Sequence, residues 1–188
     1  MTAAREYPMR KKTINIFKEG KKTWGSYDDF PLAAVGVDPA PHLSRNSVAQ
    51  PFHLVTARDE LLVTMAGTGT VEFRTPSGVK TLDFEAGTVT YLPARMPSRV
   101  LPDTEALQVR LKAAAPVTEA AAFFCTSCNA LLHSVEFVAD VPQQKYWDVA
   151  VEFNGSIEQR TCTRCGAVAD PVDLSEVAWN DVADVLKA

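Results

Sequence analysis

Two sets of residues in this 188-residue chain have types and spacings that could do chemistry. The first is Cys125-Thr-Ser-Cys128 and Cys162-Thr-Arg-Cys165, two Cys-x-x-Cys turns that use every cysteine of the chain. One such turn offers two thiolates to a tetrahedral ion. Two turns complete an S4 site suited to zinc or to rubredoxin-type iron. Gly166 follows the second turn and allows the tight backbone that aims amides at sulfur. Disulfides are the alternative, but the chain opens without a secretory leader and reads as a cytoplasmic protein, where thiols stay reduced. A redox-active pair is disfavoured because neither turn leads into a helix. The second set is His53 and Glu60, an imidazole and a carboxylate. With a further imidazole they would form the facial triad that holds Fe(II) with open positions. Their alternative is a buried hydrogen-bonded pair that holds no metal.

The elements that must position these groups are mostly strands. Pro and Gly recur at short intervals from Pro31 to Pro102. Between them lie β-rich runs at Glu60–Met65, Val71–Arg74, Val79–Phe84, Thr88–Leu92 and Leu107–Leu111. Thr75-Pro-Ser-Gly78 predicts a hairpin turn. Alternation along Val79–Phe84 predicts a half-buried strand. Short strands at close spacing without intervening helices predict a sandwich or barrel. The segment 123–168 shows little helical periodicity. The tail from Asp173 to Lys187 predicts a capped amphipathic helix, with Asp173 and Glu176 at capping-box spacing and an apolar stripe of Ala178, Val182, Val185 and Leu186.

Composition narrows the function classes. The chain is 46% hydrophobic and 22% charged, an ordinary globular mixture. No apolar run is long enough to span a membrane. A net charge of −4 disfavours a general nucleic-acid binder. Charge is uneven: residues 1–25 carry seven Lys/Arg against two Glu, and residues 170–188 carry five acids against Lys187. Opposite ends of this kind are either two solvated ends or attract one another, within one chain or across the homodimer that is expected here.

Two further spacings resemble the sequence motifs of cupin barrels. His53 and Glu60 are followed by Gly67, and Gly87 is followed after five residues by Pro93. On that motif Val55 and Ser98 occupy the remaining histidine positions, so the triad is incomplete. His42 could swing in from the preceding loop as a substitute ligand, but its Pro-Ala-Pro-His setting reads better as surface. Cupin motifs followed by Phe124-Cys-Thr-Ser-Cys-Asn-Ala-Leu-Leu-His-Ser-Val-Glu136 and Arg160-Thr-Cys-Thr-Arg-Cys-Gly166 resemble bacterial 3-hydroxyanthranilate 3,4-dioxygenase over about residues 14–168. The resemblance implies an all-β fold, a cupin (double-stranded β-helix, or jelly-roll) barrel with a C-terminal rubredoxin-like four-Cys metal knuckle, to which the tail's own pattern adds a short C-terminal helix beyond the family's usual end. It divides the chain into a basic N-terminal segment over 1–30 packing on the barrel, a barrel over 31–115, a four-Cys segment over 116–169 and a helix over 170–188. His133 matches a family position within the knuckle region and is expected to be structural.

The family's site transfers in part. Its iron ligands fall on His53, Glu60 and Ser98. Its two substrate-binding Arg positions have Arg45 and Arg99 nearby, and its substrate-contacting Glu falls on Arg110. The resemblance therefore implies a divergent member that holds no active-site Fe(II) and does not cleave 3-hydroxyanthranilate. Arg45, Arg99 and Arg110, with Lys112, would make the barrel mouth cationic, a setting for a small anionic aromatic or amino-acid-derived molecule. The chain is then an enzyme with altered chemistry, a non-catalytic ligand-binding or regulatory cupin, or a dioxygenase with a substitute ligand.

Overall fold

A computed structural model describes residues 15–21, 27–32, 37–180 and 183–184. Helix α1 (Ile16–Gly20) and strand β1 (Tyr27–Pro31) precede eight strands: β2 (Ala40–Asn46), β3 (His53–Thr56), β4 (Glu60–Ala66), β5 (Gly69–Thr75), β6 (Gly78–Phe84), β7 (Val89–Leu92), β8 (Ser98–Pro102) and β9 (Ala106–Lys112). Then come β10 (Thr118–Phe124), β11 (Leu131–Val138), α2 (Pro142–Gly155) and α3 (Ile157–Arg160).

Strands β2 to β9 behave as one long hairpin rolled up. β5 pairs with β6, β4 with β7, β3 with β8 and β2 with β9, all antiparallel. The apex is the expected turn, with Thr75 opposite Gly78. Rolling places the pairs alternately in two sheets, ordered β1-β2-β9-β4-β7 and β11-β10-β3-β8-β5-β6. That is a jelly roll, the cupin architecture the sequence implied. Gly67 permits a close crossing: it holds φ +87°, and a Cβ there would lie 2.4 Å from the carbonyl oxygen of Glu105.

Register decides which side chains face the interior. Leu62 of β4 packs with Val71, Phe73, Val100 and Leu92 between the sheets. Phe73 pairs with Ser98, and Ser98 pairs with Leu54. Directly opposed residues share a face, so Leu54 and Ser98 face inward. Neighbours in a strand point to opposite faces, so His53 faces outward.

The boundary expected at residue 115 does not separate two bodies. β10 pairs with β3 and β11 with β10, so the four-Cys segment begins inside the barrel's larger sheet and covers its edge. The segment also contains a helix that the sequence reading lacked. In α2 the buried residues Tyr146, Val149, Ala150 and Phe153 fall at i, i+3, i+4 and i+7. They pack with Phe52, Leu54, Ala121, Phe123 and Trp179 on the inward face of β3 and β10. Pro142 stands at the helix start, where its missing N–H costs nothing.

Two other expectations change. β6 is an edge strand exposed on both faces between Gly78 and Phe84, because no second layer of described residues lies over it. In the tail, residues 171–178 are turn and coil, and among the described residues helix begins at 179, over 179–180 and 183–184. The Asp173 carboxylate accepts from the Ser175 N–H at 2.9 Å, closing a local turn in place of the capping box. Val182, Val185 and Leu186, like most of the basic N-terminal segment, lie outside the described residues.

Candidate metal centre and the barrel interior

The four cysteines converge. Their Sγ atoms all lie within 4.8 Å of one another, with Cys125 to Cys165 at 3.6 Å and Cys128 to Cys162 at 3.5 Å. A zinc ion at tetrahedral bond lengths sets its sulfurs about 3.8 Å apart. A disulfide needs about 2.05 Å, and all four thiols are free.

The two turns repeat one backbone pattern. Cys125 N–H donates to Ala130 O at 2.8 Å and Asn129 N–H to Cys125 O at 2.9 Å. In the second turn Cys162 N–H donates to Ala167 O at 2.8 Å and Gly166 N–H to Cys162 O at 2.8 Å. Asn129 and Gly166 occupy equivalent positions, with φ of 61° and 76°. The left-handed residue turns the chain back so that backbone amides point at sulfur. Amides of Cys128 and Ser127 lower the Cys125 thiol to about 6, and those of Cys165 and Arg164 lower Cys162. The Ala167 amide favours the Cys165 thiolate too, but the crowded sulfurs around it push that thiol up to about 12. Four sulfurs so placed cannot all ionise unless a cation neutralises them, and a bound metal ion would do so. Cys125, Cys128, Cys162 and Cys165 thus fit a structural metal ion, which would tie the β10–β11 turn to the segment after α3.

The residues that fall on the family's iron-ligand positions are dispersed. His53 Nε2 lies 2.8 Å from Glu72 Oε1, not near Glu60. Glu72 also meets Arg74 at 2.8 Å and Arg99 at 3.2 Å. Burial drives the His53 pKa down to about 4 despite the Glu72 hydrogen bond, and the two guanidiniums add to the effect. Burial opposes ionisation of Glu72, but His53, Arg99 and Arg74 outweigh it and hold the carboxyl below its ordinary range. This cluster sits on the outer face of the larger sheet.

Glu60 points inward from the other sheet, and Arg110 Nη1 donates to its Oε2 at 3.2 Å. Beside it, Lys112 Nζ lies 2.7 Å from Glu119 Oε1, and Tyr146 OH donates to Glu119 Oε2 at 3.0 Å. Gln108, Arg110 and Lys112 thus share the inward face. Gln108 bridges to Asn46 and Thr64. Leu54 and Ser98, which face this interior, bring no imidazole, and the Ser98 hydroxyl is neutral at ordinary pH. The donor set does not fit a facial iron triad. The expected His53–Glu60 pair is likewise replaced by two pairs on opposite sides of a sheet.

The three arginines expected at one mouth occupy three places. Arg45 pairs with Glu105, Arg99 with Glu72 outside the barrel, and Arg110 with Glu60 inside it. His42 is half-buried opposite Arg110 and so shares its inward face, but among the described residues it joins no group of three metal-ligating side chains. His133 lies 3.4 Å from Glu152 and stacks over Phe153, a packing role. Glu72, Arg74 and Glu119 were missed. Their only sequence signal was alternation within β5 and β10, which does not reveal a partner from another strand.

No family model matches the chain, and no curated protein matches it. Solved structures do resemble it. A cupin-2 domain containing protein from Shewanella frigidimarina NCIMB 400 is 18% identical with a TM-score of 0.47, over 54% of this chain and 95% of that one. Hydroquinone 1,2-dioxygenase PnpCD, in complex with Cd2+ and 4-hydroxybenzonitrile, is 16% identical with a TM-score of 0.45, over 53% and 71%. Hydroquinone 1,2-dioxygenase from Sphingomonas sp. TTNP3, with 4-hydroxybenzoate bound, is 13% identical with a TM-score of 0.46, over 53% and 72%. Among the described residues no helix is long and apolar enough to cross a membrane. The rolled-hairpin strand order gives this chain a mostly β barrel of the cupin fold, and its four converged cysteines could hold a metal ion.

Proposed function

We propose that this protein is a non-catalytic cupin that binds a small anionic molecule and uses one zinc or iron ion as a structural fastener. One observation carries the reading: His53 lies on the outer face of the larger sheet while Glu60 points inward from the other sheet, and each is engaged by other partners. An extradiol cleavage needs three protein ligands on one ion with positions left open for substrate and dioxygen. The Cys-x-x-Cys elements still resemble those of bacterial 3-hydroxyanthranilate 3,4-dioxygenase. That kinship supports the cysteine-bound metal and an aromatic or amino-acid-derived ligand, not ring cleavage. Four free thiols suit a reducing compartment, the cytoplasm. For assembly we propose the homodimer suggested by the opposite charge of the two ends. A sedimentation mass of one chain at micromolar concentration overturns that assembly.

Metal analysis with oxygen-uptake measurement tests the function. The expected result is about one metal ion per chain, lost in Cys125→Ser and kept in His53→Ala. Oxygen uptake with 3-hydroxyanthranilate is expected to be undetectable, even after anaerobic Fe(II) loading. A second equivalent of metal that disappears in His53→Ala, together with oxygen uptake, overturns the proposal.

A further inference from the structure

Outside the barrel, between the β5–β6 turn, the loop 94–97 and the cysteine turns, lies a cleft of about 660 Å³. That size suits a small organic ligand. Three arginines line it, Arg74, Arg95 and Arg164, and no carboxylate does. Its apolar wall is Phe124, Met96 and Pro97. Arg74 lies over the Phe124 ring at 5.2 Å from its centroid and donates to Asn129 Oδ1, which fixes the cleft floor.

The charge around this cleft is unbalanced. Behind the floor, Glu72 serves both Arg74 and Arg99, so one carboxylate faces two guanidiniums. The neighbouring His53 brings no compensating negative charge. Among the described residues no carboxylate pairs with Arg95 or Arg164. Both are exposed, so their guanidiniums are available at the rim. Arg95 is set in place by its backbone, with φ +62° and an N–H that donates to Thr56 O at 2.7 Å. Arg164 directly precedes Cys165 in the second cysteine turn, so a metal ion held by that turn would also position this arginine.

We propose that this cleft is the binding site for an aromatic carboxylate. The Arg95 and Arg164 guanidiniums take the carboxylate, and the ring lies against Phe124, Met96 and Pro97. Arginine suits the task because its planar fork matches a carboxylate's two oxygens. The inference rests on the reading of the chain as a binder of a small anion and places that anion outside the barrel, not at its mouth.

Calorimetry on the full, zinc-loaded chain tests it, with benzoate and inorganic phosphate as probes at low ionic strength. Benzoate is expected to bind with one site per chain and more tightly than phosphate. Arg164→Ala and Arg95→Asn, the latter chosen because Asn tolerates a positive φ, should each weaken benzoate binding by about fivefold or more. Both variants should keep one metal ion per chain, which shows that the fold survives. Arg45→Ala should leave binding unchanged. Benzoate binding that survives both cleft substitutions overturns the cleft but leaves the anion-binding reading standing. Failure of both probes to bind the native chain overturns the two together. Phosphate binding at least as tight as benzoate overturns the aromatic part of the assignment.

Discussion

The cysteine centre and the barrel interior are both places where the family resemblance puts metal-ligand positions, and among the described residues only the first brings a ligand set together. The cysteine centre is built from two copies of a short turn, each closed by its own pair of backbone hydrogen bonds. Ligand geometry within a turn is local, so spacing in sequence becomes spacing in space. The barrel site would have to be built from residues on β3, β4 and β8, whose faces are set by sheet register. There a displacement of one residue sends a side chain to the opposite face. His53 is displaced in just this way: its neighbour Leu54 points where a ligand would have to point. The difference teaches that a ligand motif closed by its own turn is safer to read than one completed across strands.

The largest expected effect comes from breaking the cysteine centre. Cys125→Ser should release the metal and lower Tm by more than about 10 °C, since binding to such a site is folding free energy. Thermal unfolding with and without a chelator measures it. An unchanged Tm in both would show that the turns hold themselves without an ion, and the contrast with the barrel would lose its meaning.

A smaller effect is expected inside the barrel. Arg110→Met leaves the Glu60 carboxylate buried beside fewer cations and should cost about 3 kcal/mol in denaturant unfolding. The pair Glu60→Leu with Arg110→Met should recover most of that loss, because an apolar replacement leaves no charge to desolvate. A double variant as unstable as the single one would mean that Glu60 does more than balance Arg110.

The smallest effect belongs to the outer cluster. His53 is held neutral, with a pKa of about 4 against an ordinary 6.5. A lowered folded-state value means that the unfolded chain takes up the proton first as pH falls. The stabilisation is complete above about pH 6.5 and is lost progressively towards about pH 4, amounting to no more than about 3 kcal/mol. His53→Gln should flatten that part of the stability–pH curve. An unchanged slope would place the titration on another group.

Much of the fold was legible in the sequence. Pro and Gly mark the loops, five strand runs fall on β4, β5, β6, β7 and β9, and Thr75–Gly78 is the turn at the apex of the roll. What escaped was what pairing across the sheets decides. Arg45, Arg99 and Arg110 read as one cationic group because they share a charge, yet each was already claimed by a carboxylate from another part of the chain. The α2 stripe at Tyr146, Val149, Ala150 and Phe153 was visible in principle. The tail reading erred by trusting Asp173 as a cap, since the same carboxylate can close a turn of its own.

The seating of α2 against β3 and β10 also makes a statement about how the molecule opens. Trp179 and Tyr146 are fully buried with Phe52 in the same cluster, so the tail, the helix and two barrel strands share one core. Amide protons of β3 and β10 should therefore exchange with solvent at the rate at which α2 undocks, as one cooperative unit. The edge strand β6, with no layer of described residues over it, should exchange far faster. Solvent would then reach the interior of the roll by release of the helix and tail, not by parting of the sheets.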